Sequence, residues 1–473
     1  MKAQLKRSAC LILILNIAFL AVEIVFFILI STGSIVASVW SLPATVFSFI
    51  AIALNALAMW KFKIDVTDFR FLFMVFMYIF MCGRVWLNCF GLDGDIFWVL
   101  HTFFPHDVMA RASMYCLCCI QAIFLGLLCT KQKMPLVYER NSEHTDSNRL
   151  FLTGILLLLI GLPCQIYVDI HSIRATLSSG SYLSITGVTG LIDDFAFLLI
   201  PGILCLMESR PKQRKVIFGA IGAYFLLVMS LTGNRRYYVT SIVAIGAYLL
   251  YVIRRDKPQK EKISIKRYVF IGILGVLFLS FLQVLREIRV NGLGSLSEFL
   301  VNHGSDIFVV DDLLYEVLAE FGISFFSVTN IIANVPTMLP FQYGMTFVGM
   351  LPFLLPVGFL LGDLFVLAEP SAGINAATVN GLGSTLLGDL YANFGSAGIL
   401  FSFLFGIILS KIVNLSKREQ GGIKLVMYYS LYRIMINLVR CTVFEVYRPS
   451  IWMYCIVYII YWSFGKKKDV KLL

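Results

Sequence analysis

The sequence predicts an all-α polytopic membrane protein, and three observations support this fold class. Hydrophobic residues make up 59% of the 473-residue chain, charged residues only 14%, and the mean hydropathy of +0.84 lies far above that of a soluble domain. Apolar runs near the length of about 20 residues that crosses a bilayer recur along the chain. Lysine and arginine gather in alternate connections between these runs, as the positive-inside rule requires.

About twelve transmembrane helices are predicted, in three regions. Residues 1–286 form a bundle of spans 1–9, residues 287–390 form a large extracytoplasmic segment between spans 9 and 10, and residues 391–473 form spans 10–12. The spans are centred near residues 20, 48, 80, 121, 160, 197, 223, 245, 277, 402, 431 and 457. The long first run has no small-residue cleavage site after it, so we interpret it as a span and not as a signal peptide.

The extracytoplasmic segment is predicted to contain two helices that do not cross the membrane. In residues 310–321, apolar and acidic side chains fall on opposite faces, which indicates an amphipathic helix on the membrane surface. Residues 345–366 are apolar, but Pro352, Pro356 and three glycines interrupt them, which favours a re-entrant or interfacial helix buried against protein. If they crossed instead, a paired crossing near residues 321–339 would restore the sidedness of the later loops and give fourteen spans.

The basic residues predict that both termini are cytoplasmic. With twelve crossings, 29 of the 39 lysines and arginines lie in the tails and the alternate loops, including seven in residues 254–267. The other ten lie in outward segments or near the outer ends of spans, and all are arginines, although the chain contains 20 arginines and 19 lysines. They are Arg84, Arg111, Arg174, Arg235, Arg236, Arg286, Arg289, Arg433, Arg440 and Arg448.

Outward arginine without lysine indicates an anionic ligand. The planar guanidinium places two donors on one phosphate or carboxylate and stays charged in a partly dry site. The motif "LTGNRRYYV", residues 231–239, puts Arg235 and Arg236 in the outward turn between spans seven and eight. Anchoring to lipid headgroups, or an ion pair with an outward acid, is the better explanation of any single arginine but not of the set.

Several function classes are disfavoured. The net charge of +11 arises mainly in the cytoplasmic loops, which indicates topology and attraction to anionic lipid and not nucleic-acid binding. The eleven cysteines show no disulfide framework and no metal-ligand spacing. The sequence has no Walker, GxSxG, HExxH or nucleotide-binding motif, so an ATP-driven pump is disfavoured.

The stretch "NGLGSTLLGDLYANFGSAGILFSFLFGIILSKI", residues 380–412, resembles the motif of the Wzy-type O-antigen polymerases, the oligosaccharide repeat unit polymerases of bacterial surface polysaccharide assembly. In it, small residues, an acidic position and an aromatic residue are followed by Asn-Phe-Gly and a glycine-spaced span. "TGNRRYY" is similar to the Gly-x-Arg turn of these proteins. The large outward segment before the last spans, the number of spans and the cytoplasmic termini also fit.

The resemblance implies a membrane glycosyltransferase that polymerises undecaprenyl-pyrophosphate-linked oligosaccharide repeat units at the outer face of the bacterial inner membrane. The product would be O-antigen, capsule or exopolysaccharide. The resemblance implies no cofactor, no nucleotide sugar and no required metal, and its implied partners are membrane lipid, a chain-length regulator and a flippase. A lipid-linked oligosaccharide flippase or other transporter is the alternative, although no inverted repeat is seen. A ligase that passes glycan to another acceptor is the second alternative, because it would need nearly the same kind of site.

Such a site must stabilise charge on the departing pyrophosphate and supply one base, because pyrophosphate is already a good leaving group. The predicted pyrophosphate ligands are outward arginines near spans seven, nine and eleven: Arg235, Arg236, Arg286, Arg289, Arg440 and Arg448. The "LREIR" motif places Arg286 and Arg289 at i and i+3, on one helical face.

The candidate catalytic residues are His303 as the base and Asp389 as a positioning residue. His303 is the one histidine of residues 287–390, and a neutral imidazole is a ready proton acceptor, although a surface histidine that caps the next helix is the alternative. Asp389 lies in the family-like stretch and is the second candidate base or an ion-pair partner for an arginine. The candidate glycan contacts are Tyr237, Tyr391 and Asn393; an interfacial belt for Tyr237 and a helix cap for Asn393 are the alternatives.

The predicted sidedness can be measured with reporter fusions or cysteine labelling. We expect residues 254–267 and 466–471 to be cytoplasmic and residues 290–345 to be outside, because the basic loops stay on the cytoplasmic side. Labelling of residues 254–267 from outside in intact cells would overturn the topology.

Overall fold

The computed structural model describes residues 2–35, 40–92, 100–129, 143–179, 190–232, 236–256, 310–355 and 383–465 except 417, together with residues 301, 368, 369 and 374. This part of the chain is helical and contains no strand, which confirms the all-α class. Ten of its helices are long and apolar enough to cross a membrane, and nine of these ten contain a predicted span centre. The chain is therefore a polytopic membrane protein.

The helices follow the chain in two groups. Up to residue 256 they are α1 (Lys2–Ser31), α2 (Ser41–Lys61), α3 (Phe69–Cys89), α4 (Leu100–Phe103), α5 (His106–Leu128), α6 (Glu143–Ser179), α7 (Leu191–Ala196), α8 (Leu199–Ser209), α9 (Arg214–Thr232) and α10 (Arg236–Asp256). From residue 310 they are α11 (Val310–Phe321), α12 (Ser324–Asn334), α13 (Met345–Gly349), α14 (Leu386–Phe394), α15 (Gly398–Asn414), α16 (Gly422–Met435) and α17 (Val443–Ser463). The predicted span near residue 277 lies outside the described residues.

Two predicted spans are broken or short. Near residue 197 the chain forms α7 and α8 instead of one helix, because Pro201 has no N–H to donate to the carbonyl of Phe197. Near residue 431, α16 has only 14 residues and continues as a 3₁₀ helix over Ile436–Val439. Neither segment belongs to the ten long helices.

The tenth long helix, Val317–Asn334, joins the end of α11 to α12 and corresponds to the crossing that the fourteen-span alternative adds. Phe325 and Phe326 are fully buried, and α12 packs against α3, α5 and α14. The end of α11 also contacts α3, since the Arg84 Nε donates to the carbonyl of Ala319 at 2.7 Å. This half of α11 therefore packs against α3. Its predicted position on the membrane surface stays a prediction.

The segment predicted to be a broken, non-crossing helix is broken where its proline lies. α13 ends at Gly349 and a 3₁₀ helix, Leu351–Leu354, follows with Pro352 in its first turn. These ten residues would extend about 15 Å as a helix, roughly half of the hydrocarbon core. Residues 356–367 lie outside the described part, so the re-entrant path stays a prediction.

The chain divides into two compact units, and the first comprises Met1–Gln132, Asp311–Ile412 and Met435–Val446. Its central helix is α5, which is almost completely buried among α1, α2, α3 and α12. Gly126 of α5 and Gly406 of α15 let two backbones touch, because a Cβ at either position would collide with a carbonyl of the other helix.

The second unit comprises Lys133–Val310, Val413–Ile434 and Tyr447–Leu473. Within it α6 packs against α7, α8 and α9. The Asp169 carboxylate on α6 accepts hydrogen bonds from the hydroxyls of Tyr224 and Tyr238 and, at 2.8 Å, from the Gln165 amide. Three donors satisfy this buried carboxylate, which ties α6 to α9 and α10.

Candidate functional site

Asp389 forms a buried hydrogen-bonded junction at the start of α14. Its helix is capped by Thr385, whose hydroxyl accepts from the Gly388 N–H at 3.2 Å. Only 3% of Asp389 is exposed. One carboxylate oxygen accepts from the Ser384 hydroxyl and the other from the backbone N–H of Val443, each at 3.0 Å. Val443 begins α17, so the carboxylate lies at the positive end of that helix dipole, where an anion is stabilised.

Two further carboxylates accompany Asp389. The Thr442 hydroxyl donates to Glu369 Oε2 at 3.1 Å and accepts from the Glu445 N–H at 3.4 Å. Both glutamates act on Asp389 electrostatically. Arg440, a half-buried residue, precedes Thr442 by two positions. We call Asp389, Glu369, Thr442 and Glu445 the carboxylate cluster; its groups can hold a proton and can orient a neighbouring cation or hydroxyl.

Asn393 uses its hydrogen-bonding groups inside the protein. Its Oδ1 accepts from the Gly344 N–H at 2.9 Å, and its Nδ2 donates to the Thr346 hydroxyl and to the Asp389 carbonyl, each at 2.7 Å. Its backbone carbonyl accepts from the Tyr343 N–H at 2.9 Å. The residue is fully buried. This geometry favours a positioning role over the predicted glycan contact, since Asn393 joins the end of α14 to the turn that starts α13.

Local steric constraints explain why the Asn-Phe-Gly motif ends in glycine. Gly395 has φ +56°, and a Cβ there would lie 2.9 Å from the ring of Phe341. The facing Gly344 also lies in the left-handed region, with φ +88°. Glycine adopts this backbone conformation without the strain that a side chain would add. The motif therefore specifies how two turns of the first unit pack together.

Tyr391 is packed between two rings near the same junction. Its ring meets Tyr115 and Phe341 edge to face, with centroids 5.1 Å and 6.2 Å apart, and 8% of the residue is exposed. Arg111 acts on it electrostatically. Tyr391 therefore presents little open ring surface on which a sugar could stack, although Arg111, one of the arginines predicted to be outward, acts on it.

In the second unit, Arg448 forms an ion pair with Asp194 of α7. The side chain of Arg448 is 18% exposed and that of Asp194 is 9% exposed. The guanidinium also lies 5.8 Å from the ring centroid of Trp452. The geometry matches the ion-pair alternative for this single arginine more closely than an open pyrophosphate site.

Tyr237, at the start of α10, belongs to a small aromatic group in the second unit. Its ring meets Phe197 edge to face at 6.0 Å. The Arg433 guanidinium carbon lies 4.5 Å from the Phe197 centroid and 5.6 Å from the Tyr237 centroid, and its Nε donates to the Ser241 hydroxyl at 3.1 Å. Cation–π contacts and a hydrogen bond hold this buried arginine.

Four predicted site residues lie outside the described residues: Arg235, Arg286, Arg289 and His303. The backbone of Arg236 is described, at the start of α10. Of the rest, Asp389, Tyr391, Asn393 and Arg440 belong to the first unit, and Tyr237 and Arg448 belong to the second.

Several residues that take part in these contacts were not predicted from the sequence, among them Ser384, Thr442, Glu369 and Asp194. Ser384 and Thr442 had a local signal, since they stand five residues before Asp389 and two after Arg440. Glu369 and Asp194 had none, because their partners are remote in sequence, 73 residues away in the case of Glu369 and Thr442.

The fold and the buried polar junction define a multi-pass integral membrane protein built of helices, with a carboxylate cluster inside one compact unit. The model of one protein family, O-antigen polysaccharide polymerase Wzy, matches residues 14–468, nearly the whole chain. The chain therefore belongs to this family of bacterial inner-membrane polymerases, which join polysaccharide repeat units supplied as lipid-linked oligosaccharide. Comparisons with curated proteins and with solved structures give no match.

The role of Asn393 can be tested with Asn393→Ala. The variant leaves the Gly344 N–H without its acceptor and the Thr346 hydroxyl without its amide donor, so we expect a loss of about 1–3 kcal/mol of stability and faster hydrogen exchange in residues 340–350. Gln342→Ala is the control, because it removes only an exposed side-chain hydrogen bond, to the carbonyl of Pro340. Unchanged stability and exchange together with lost polymerisation would instead indicate direct contact with the substrate.

Proposed function

We propose that the protein polymerises undecaprenyl-pyrophosphate-linked repeat units into O-antigen, capsule or exopolysaccharide at the outer face of the inner membrane. Family membership supports repeat-unit polymerisation. The observation that carries the finer proposal is the buried Asp389 carboxylate, which joins the family-like stretch to the N-terminal end of α17 just after Arg440. A carboxylate, a hydroxyl and an arginine in one region suit the transfer of a glycan from a diphosphate carrier to a sugar hydroxyl.

The proposed reaction moves the growing glycan from its carrier to a fresh repeat unit. The terminal sugar hydroxyl of the fresh unit attacks the anomeric carbon of the glycan, and a glycosidic C–O bond forms. The bond to the carrier pyrophosphate breaks, and the pyrophosphate leaves with the electron pair. The hydroxyl proton passes to a base, for which we propose His303. Asp389 fits a positioning role, because both of its oxygens accept hydrogen bonds and only 3% of the residue is exposed.

The outward arginines are proposed to bind the pyrophosphate, where charge develops in the transition state. Arg440 is supported by its place in the chain, two residues before Thr442 of the carboxylate cluster. Arg448 would have to leave Asp194 to bind a diphosphate, so its support is weaker. Arg235, Arg236, Arg286 and Arg289 are proposed from their place in the sequence.

The glycan contacts and partners are proposed on similar grounds. Tyr237 is half-buried and remains the candidate glycan contact. Tyr391 and Asn393 are packed inside the first unit, so they act by positioning α14. A flippase is one proposed protein partner, because the substrate must be delivered to the outer face, and a chain-length regulator is the other.

A cell-free assay with the purified protein in liposomes and purified lipid-linked repeat units tests the proposed function. Chain lengthening without any other acceptor is the expected result. Translocation of the substrate without new glycosidic bonds would identify a flippase. Transfer that needs a separate lipid or protein acceptor would identify a ligase.

The arginine proposal is tested in this assay with Arg235→Ala and Arg289→Ala. We expect each to lower the rate roughly hundredfold or more while the protein still inserts, because a transition-state donor is lost. The lysine variants should restore little, since an ammonium cannot bind one phosphate through two parallel donors. Arg254→Ala, on the predicted cytoplasmic side, is the matched control. Wild-type rates in both alanine variants would leave lipid-headgroup anchoring as the explanation.

The roles of His303 and Asp389 are separated by single-turnover kinetics. His303→Ala should slow transfer by about 10²-fold or more, without weaker donor binding, because only the proton acceptor is lost. Asp389→Asn should impair both transfer and donor binding, because the charge that orients its surroundings is removed. Unchanged transfer in His303→Ala would remove His303 from the mechanism, and unchanged donor binding in Asp389→Asn would remove the positioning role.

A further inference from the structure

The short broken helix of residues 345–355 presents an apolar stripe to the outside of the first unit. Met345, Val348, Leu351 and Leu355 are 47%, 54%, 58% and 60% exposed. They recur every three or four residues, which is the spacing of one helical face. We call these four residues the apolar stripe.

The opposite face of the same segment is buried and tied to the carboxylate cluster. Thr346 is 3% exposed and receives the Asn393 amide, while Phe347 stacks on Phe394 with centroids 6.2 Å apart. Phe353 is 6% exposed and meets Phe444 edge to face at 5.3 Å. Phe444 directly follows Val443, the residue whose N–H binds Asp389. The stripe is therefore the outer face of a segment whose inner face contacts Asn393 of α14 and Phe444 of α17.

Two other described helices at this junction, α14 and α12, offer no comparable surface. Residues 386–393 of α14 are buried throughout, and α12, which packs on α14, has no exposed residue. α13 is the second helix that packs on α14, and it begins the stripe. α15 also packs on α14, since Phe401 stacks on Phe394, and it exposes Leu400. The stripe is the exposed apolar surface of the segment that contacts both Asn393 and Phe444.

The family works on oligosaccharide joined to a lipid, so the substrate has a polar head and a long apolar chain. While the head reacts, the chain must leave the site along protein surface toward the hydrocarbon of the bilayer. We propose that the apolar stripe binds the polyprenyl chain of the lipid-linked substrate while the head lies at the carboxylate cluster. This inference rests on the proposed function for the identity of the carrier and deepens it by assigning a binding surface to the chain.

The binding arm of the test does not depend on catalysis. Leu351 is replaced by photoreactive benzoylphenylalanine in the full-length protein, held in nanodiscs of phosphatidylethanolamine and phosphatidylglycerol with labelled undecaprenyl phosphate. The same replacement at Leu11 of α1, which is also 58% exposed, is the matched control. We expect about tenfold more crosslinking at residue 351 than at residue 11, lost on addition of excess unlabelled undecaprenyl phosphate. Equal, uncompeted crosslinking at both positions would show contact with bulk lipid only and would overturn the proposal.

The kinetic arm uses the double variant Val348→Ser with Leu351→Ser in the cell-free assay. We expect KM for the undecaprenyl-linked donor to rise about tenfold, because apolar contact with the chain is lost, while KM and kcat for a donor on a short prenyl carrier stay the same. Leu11→Ser with Ile14→Ser is the control and should change neither. An equal effect on both donors would contradict the inference.

The two arms separate failure of this inference from failure of the proposed function. Wild-type polymerisation with no selective crosslink at residue 351 would overturn the stripe alone. A selective crosslink without polymerisation would overturn the proposed function and leave a polyprenyl-binding surface.

Discussion

A polar group inside a membrane protein must find its partner in the protein, because the hydrocarbon offers none. In the first unit this constraint converges on Asp389, whose carboxylate accepts from the Ser384 hydroxyl and from the first N–H of α17. The N–H of Val443 is one that its own helix leaves unpaired. One buried carboxylate therefore caps α17 and fixes its start against α14, and the neighbouring contacts of Asn393 and Thr442 depend on that arrangement.

The same constraint explains why the family-like stretch contains its particular residues. The Asn393 side chain accepts from the Gly344 N–H and donates to the Thr346 hydroxyl and the Asp389 carbonyl. Gly344 and Gly395, which have no side chain, let the two turns approach each other. In the second unit Asp169 has a similar function, since two tyrosine hydroxyls and an amide satisfy its carboxylate and hold α9 and α10 to α6. Buried networks of this kind define one arrangement of helices when every member is satisfied.

Much of the fold could be predicted from hydropathy, since nine long helices coincide with predicted spans. α12 lies in the segment predicted to be outside the membrane, with a crossing near residues 321–339 as the alternative. Its Thr329 hydroxyl donates to the carbonyl of Phe325 in the same helix. The break at Pro201 was a local signal that the span prediction did not use. The positive-inside pattern predicted the sidedness, which labelling has to test.

The candidate site was less predictable, because its contacts join remote parts of the chain. The resemblance to a family indicated the stretch around Asp389. Val443, whose N–H binds the Asp389 carboxylate, lies 54 residues away in the sequence and was not predicted. The outward arginines were predicted as one set, whereas the structure gives Arg84 a carbonyl partner and Arg448 an acidic one. Side-chain type predicts what an arginine can bind, and only the packed helices determine which group it meets.

The proposed place of glycan transfer is the carboxylate cluster, whose Thr442 follows Arg440 by two residues. A cryo-electron microscopy structure of the protein with a non-transferable phosphonate analogue of the lipid-linked donor would test it most directly. We expect density for the two phosphorus groups against the Arg440 guanidinium, with the first sugar next to the Asp389 junction. Density for them beside Arg214 and Arg255, which form ion pairs with Glu208 on the predicted cytoplasmic side, would contradict this proposal.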